Sequence, residues 1–122
     1  MSIDLFKLHG RVAVVIGGAR DLGYDMAEAL SDAGANVMIT SRSQDHADEA
    51  ARRLNARSGY DACGEALDIR NYAAIEVIAE KAFAWKGHVD ILVVNAGGTP
   101  SASPGPLFDR EPSDIEELIA LT

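Results

Sequence analysis

The stretch Ile16-Gly17-Gly18-Ala19-Arg20-Asp21-Leu22-Gly23 joins a short β-branched run to a segment of helical periodicity. Glycine in such a turn lets the backbone pass close to a pyrophosphate, and the free amides of the following helix can then bind it. The generic dinucleotide spacing G-x-G-x-x-G is absent. The P-loop spacing is absent as well, because Tyr24 follows Gly23 where a lysine is required. Tight strand–helix packing explains the turn alone equally well. Three further groups lie where strands end. Ser41 and Arg42 follow Ile39-Thr40, Asp68-Ile69 follow Leu67, and Asn95-Ala96-Gly97 follow Val93-Val94. Singly, each has an ordinary explanation: Arg42 as a surface charge, Asp68 as a helix cap, Asn95 as a turn former.

These groups need elements to position them. Arg11 to Gly17 reads as a first strand. Leu22, Met26, Leu30 and Ala33 recur at helical spacing, and Gly34 closes that helix. Val37 to Thr40 is a second strand. Ala47, Ala50, Ala51 and Leu54 form the apolar face of a second helix, broken at Ser58-Gly59. A third strand is expected from about Cys63 to Leu67. A third helical stripe carries Ile75, Ile78, Ala79 and Ala82 and ends at Lys86-Gly87. Val89 to Val94 is a fourth strand, with Ile91-Leu92-Val93-Val94 expected to be buried on both faces. The stretch from Gly98 to Pro112 holds all four prolines and reads as a loop. Ser113 then caps a last helix bearing Ile115, Leu118 and Ile119. Strands alternating with helices predict an α/β fold of Rossmann-like, doubly wound type: three layers, αβα, around a parallel sheet. The expected strand order is 3-2-1-4, an incomplete sheet. Ligands in such sheets bind beyond the carboxyl ends of the strands, which is where the four groups fall.

Composition narrows the function classes. The 122 residues carry 11 Lys+Arg and 19 Asp+Glu, a net charge of −8, and 48% are apolar. That describes one globular domain rather than a disordered segment. The charge has the wrong sign for nucleic acid, so no nucleic-acid partner is expected. No apolar run approaches a bilayer span, and no membrane partner is expected. The start, Met1-Ser2-Ile3-Asp4-Leu5-Phe6-Lys7, does not read as a signal peptide. Cys63 is the only cysteine, which excludes an internal disulfide and fits a reducing, cytoplasmic setting. It reads as a small core residue rather than a nucleophile. His9, His46 and His88 are scattered without metal-ligand spacing, so no metal site is expected.

Taken together, the glycine turn and the strand-end groups resemble the short-chain dehydrogenase/reductase family, over essentially the whole chain. The family's opening pattern is T-G-x-x-x-G-[IL]-G. Gly17, Leu22 and Gly23 match it, while Ile16 replaces the threonine and Asp21 the middle glycine. In the family the threonine braces the turn, so its loss is mild. Asp21 is the more serious departure. A carboxylate roughly 6 Å from a phosphate would cost about 2–3 kcal/mol at an effective dielectric of 20. The expectation is that its side chain turns outward and caps the helix, leaving the amide for phosphate. Val94-Asn95-Ala96-Gly97 is similar to the family's N-N-A-G, which borders the adenosine and nicotinamide ribose. Asp68-Ile69 resembles the pair that contacts the adenine. The resemblance therefore implies cofactor contacts at Gly17, Ala19, Arg20, Asp21, Leu22, Gly23, Ser41, Arg42, Asp68, Ile69, Asn95, Ala96 and Gly97.

An acid roughly 20 residues past the glycine turn would hold a ribose 2′-hydroxyl and mark NAD. Ser41 stands there instead, and Arg42 offers a planar fork for a 2′-phosphate. Arg20 is placed to approach the same phosphate. In the family, basic residues at these two positions indicate NADP, which is favoured over NAD.

The family's chemistry needs a tyrosine followed four residues later by a lysine. Tyr24, Tyr60 and Tyr72 are followed at that distance by Glu28, Gly64 and Glu76. By ungapped spacing the family's relay asparagine falls at Thr122. The expected reading is the N-terminal, cofactor-binding half of a longer oxidoreductase. That parent would act on a small-molecule carbonyl or alcohol and assemble as a homo-oligomer, dimer or tetramer. The alternative is a non-catalytic NADP-binding or sensing module of this length.

Overall fold

The computed structural model describes residues 7–95. Four parallel strands form one sheet: β1 (Val12–Ile16), β2 (Asn36–Ser41), β3 (Ala62–Ala66) and β4 (Ile91–Val94), in the order β3-β2-β1-β4. Helices α1 (Asp21–Asp32), α2 (Gln44–Ser58) and α3 (Tyr72–Lys86) connect them. This is the expected strand order and the expected Rossmann-like α/β fold. The long loop and the helix expected from Ser113 lie outside the described residues.

The side-chain alternation of β1 and β2 builds two cores. Ala13, Val15, Val37 and Ile39 face α1 and α2 and pack with Tyr24, Ala27, Ala50 and Leu54. Val14 and Met38 face the other way, onto Leu67, Ile78 and Ala82. The sheet is thus covered on both sides because successive strand side chains point to opposite faces. Register follows the same run: Val12 pairs with Asn36 and Ile16 with Thr40, while Ile16 also pairs with Val94. The carboxyl ends of the three strands β2, β1 and β4 therefore finish level, and the turns that follow them meet.

α2 and α3 match their predicted stripes at Ala47, Ala50, Ala51 and Leu54, and at Ile78 and Ala82. Their caps are Ser43, which accepts from the His46 amide at 3.3 Å, and Asn71, which accepts from the Ala74 amide at 3.1 Å. The cap of α3 is thus Asn71, not Asp68. α1 departs from its predicted stripe. It buries Gly23, Tyr24, Ala27 and Ser31, and leaves Leu22 62% exposed. Small residues at 23 and 27 let this face approach the sheet more closely than the Leu22–Met26 face could.

The outer edge of β3 is closed by side chains of α2. Asn55 donates to the Ala62 carbonyl at 3.0 Å and accepts from the Ala62 amide at 2.9 Å. Gln44 donates to the Gly64 carbonyl and accepts from the Ala66 amide, each at 2.9 Å. Two amide side chains occupy the backbone groups that a foreign strand would otherwise pair with. Gly64 lies beneath this contact: a Cβ there would stand 2.4 Å from the Ala47 carbonyl carbon.

β4 corrects a second expectation. Among the described residues it is half-buried on one face, at Ile91 and Val93, with Leu92 64% and Val94 58% exposed on the other. Both stand on the α3 side, where Ile78 and Ala82 of α3 cover Val14 and Met38 but leave β4 open. At the amino ends of β1 and β4, Asp90 accepts from the Val12 amide at 2.8 Å. That bond, with His88 and Arg11 nearby, holds its carboxyl below the usual carboxylate range. This cluster lies at the far end of the sheet from the convergent turns.

Candidate functional site

The turns after the strands enclose one groove of about 280 Å³. Its lining includes Gly17, Ala19, Arg20 and Asp21 from the turn after β1, and Ser41 and Arg42 from the end of β2. Asp68, Ile69 and Asn95 from the turns after β3 and β4 line it as well. Ile16, Thr40 and Leu67 join them as floor residues. Two expected residues stand apart from the lining. Leu22 is exposed on α1, and Gly23 is buried beneath the turn. Ala96, Gly97 and Thr122 lie outside the described residues. The groove is at the small end of ligand pockets, roughly 300–1,000 Å³, and suits one nucleotide half better than a whole dinucleotide.

The turn after β1 is held from β2. The Thr40 carbonyl accepts from the amides of Gly17 at 3.1 Å and Gly18 at 3.0 Å. Its hydroxyl accepts from the Gly17 amide at 3.3 Å. Thr40 is 1% exposed, so its polar groups depend on these partners. It does from the neighbouring strand what the family's threonine does from position 16. A lone threonine ending an apolar strand was the available signal, but spacing alone does not say that it faces the turn.

Gly17 adopts φ 78°, the left-handed region open to glycine. Asp21 does so too, at φ 55°, the one non-glycine residue with positive φ among the described residues. The expected cap is corrected here: the N-cap of α1 is Arg20, and no side chain caps the helix. Asp21, which stands where the resembled pattern has its middle glycine, instead carries a backbone conformation that favours glycine. Aspartate tolerates that region better than most residues, at some cost. The amides of Asp21, Leu22 and Gly23 precede the first helical bond, from the Tyr24 amide to the Arg20 carbonyl at 3.2 Å. They are the donors that a helix start offers to an anion.

Asp21→Gly should therefore relieve strain and remove a negative charge from the groove at once. Stability is expected to rise by about 1 kcal/mol, and affinity for a dinucleotide by about fivefold. Urea unfolding and a fluorescence titration read the two effects separately. A loss of stability would contradict the conformational account.

Charge in the groove is divided. Arg20 and Arg42 bring two positive heads. Ser41 stands where an acid would repel a second phosphate, and its hydroxyl accepts from the Ser43 amide at 3.2 Å. Asp68 is held in its charged form chiefly by the Arg70 side chain, then by the Arg70 amide, with Arg42 also contributing. Among the described residues no tyrosine lines the groove. Tyr24 is buried in the α1–α2 core beneath Arg53, Tyr60 lies 3.0 Å from His9, and Tyr72 is 82% exposed on α3. Burial pushes the Cys63 thiol up to about 12, which fits a packing role. Among the described residues no three His, Cys, Asp or Glu side chains group as metal ligands, and no helix is long and apolar enough to cross a membrane.

Residues 11–122 match the family described as short chain dehydrogenase. The chain belongs to the short-chain dehydrogenase/reductase family. An uncharacterized oxidoreductase of Mycobacterium tuberculosis is 35% identical over 120 residues, covering 98% of this chain and 44% of that protein. The structure of RhlG from Pseudomonas aeruginosa, in an active-site complex with NADP, superposes with a TM-score of 0.80 at 31% identity, over 98% of this chain and 43% of that one. A metagenomic short-chain oxidoreductase in complex with NADP gives 0.79 at 35% identity, over 93% and 50%. The chain thus spans about half the length of the relatives it matches.

Proposed function

We propose that this chain is the NADP-binding part of a short-chain oxidoreductase that interconverts a carbonyl and an alcohol by hydride transfer. The observation that carries the reading is the pairing of Arg20 with Arg42 around a groove whose β2 end bears Ser41 rather than an acid. NADP bound in the related structures supports it.

In this reading the 122 residues form one domain, the N-terminal part of a longer one. The amides of Asp21, Leu22 and Gly23 take the pyrophosphate. Arg20 and Arg42 take the 2′-phosphate, Asp68 and Ile69 the adenine, and Asn95 with Ala96 and Gly97 the ribose side. When bound, the nicotinamide cofactor supplies or accepts the hydride. The chain's own work is to bind and orient it. No tyrosine here is followed four residues on by a lysine, so the 122-residue chain alone is expected to bind without turnover. Thr122 stands near the relay position of the family. The whole protein would take a small-molecule substrate in a reducing, cytoplasmic setting and work as a homo-oligomer.

The test is a parallel titration of the full-length protein with NADPH and NADH. NADPH should bind at least about tenfold more tightly, the size of a charge-assisted contact to one extra phosphate. Equal affinity, or a preference for NADH, would overturn the NADP assignment.

A further inference from the structure

The turn between β3 and α3 contains a feature that the nucleotide reading leaves unused. Arg70 folds back onto Asp68, two residues before it. Its backbone amide donates to Asp68 Oδ1 at 3.0 Å and its Nε to the same oxygen at 3.2 Å. Its Nη2 donates to Oδ2 at 3.1 Å. The Asn71 amide closes the turn onto the Asp68 carbonyl at 3.0 Å. Asp68 lines the groove, and Arg70 does not.

We infer that Arg70 is a positioning residue: its fork fixes the Asp68 carboxylate so that one acceptor site on Oδ2 selects an amino-bearing base in the groove. A carboxylate has about four acceptor sites, two on each oxygen. Arg70 takes both on Oδ1 and one on Oδ2, which leaves one for a ligand. The carboxylate is acceptor-only and is held charged by Arg70. It therefore welcomes the exocyclic amine of adenine and repels the carbonyl oxygen that replaces it in hypoxanthine. Arg70 has a second effect. Arg42 lies close enough to act on the Asp68 charge. Without the fork, the carboxylate is free to turn to Arg42, which withdraws both groups from the nucleotide.

This inference rests on the proposed NADP reading, with the adenine against Asp68 and Ile69. The test compares NADPH with its deaminated hypoxanthine analogue in the full-length protein. Wild type should favour NADPH by about tenfold, the weight of a hydrogen bond to a charged group. Arg70→Ala should bring the ratio to within about twofold, as should Asp68→Ala, and adding Arg70→Ala to Asp68→Ala should change it no further. Arg70→Lys keeps the charge and loses the fork, and its ratio should fall between the two. It carries the test should the alanine variant fail to fold. A purely structural role would weaken both nucleotides equally and leave the ratio intact. An intact ratio in the Arg70 variants would overturn the inference and leave the NADP reading standing, as would a wild type that binds both alike. Failure of wild type to bind NADPH at all would overturn both.

Discussion

Gly23→Ala is expected to abolish dinucleotide binding and to destabilise the fold by about 3 kcal/mol, near the upper end for an overpacked site. A Cβ at this position would stand 2.0 Å from the Gly17 carbonyl oxygen, 3.0 Å from the Gly17 carbonyl carbon and 2.9 Å from Asn95 Nδ2. The first two contacts are backbone, in a turn that Thr40 already holds from β2. They cannot yield as a flexible side chain would. The strain is relieved only if the start of α1 lifts from the sheet. That movement takes the amides of Asp21, Leu22 and Gly23 away from the groove and displaces Asn95 as well. Affinity for NADPH should fall by at least about a hundredfold, because the pyrophosphate and ribose contacts are lost together. Urea unfolding and an NADPH titration on the variant check the two halves. Normal binding with reduced stability would show that the α1 amides are not the anion site.

The second large effect is a reversal of cofactor preference. Ser41→Asp combined with Arg42→Ala should lower the NADPH-to-NADH affinity ratio by at least about a hundredfold. Two changes act on the same phosphate. Loss of Arg42 removes a charge-assisted contact, on the order of 1.5–3 kcal/mol. The new carboxylate at the end of β2 repels the 2′-phosphate and accepts instead from a ribose 2′-hydroxyl. The fold should not suffer. Ser41 is half-buried, and its hydroxyl serves the structure by accepting from the Ser43 amide at 3.2 Å, which an aspartate oxygen at 41 can also do. The two changes share a ligand, so their effects need not add, and each single variant should be measured beside the pair. Titrations of both nucleotides decide the matter. An unchanged ratio would place the 2′-phosphate away from Arg42.

β1, β2 and β4 were legible because each is a short, largely apolar run bounded by glycine or a polar cluster, and the α2 stripe because its four apolar residues keep helical spacing; β3, which carries Gly64 and Glu65, owes its place to the alternation of strands and helices. The site was legible because a parallel sheet brings its strand ends together, so residues more than 70 positions apart in sequence, such as Arg20 and Asn95, line one groove. Other features depend on approach distance rather than periodicity. Periodicity points to the wrong face of α1 because Leu22 and Met26 are larger and more apolar than Gly23 and Ala27, which the helix buries. The sheet selects the smaller face because Gly23 must pass against Gly17. The conformation of Asp21 is hidden in the sequence for a related reason: residue type gives no sign that a position must adopt positive φ. The edge contacts of Gln44 and Asn55 and the brace from Thr40 join groups that only the folded chain brings together.

The most direct test of the account is a crystal structure of the full-length protein with NADP bound. The account predicts the 2′-phosphate between the Arg20 and Arg42 side chains, the pyrophosphate on the amides of Asp21 to Gly23, and the adenine beside Asp68. A nucleotide seated elsewhere, or one whose 2′-phosphate points away from both arginines, would contradict it.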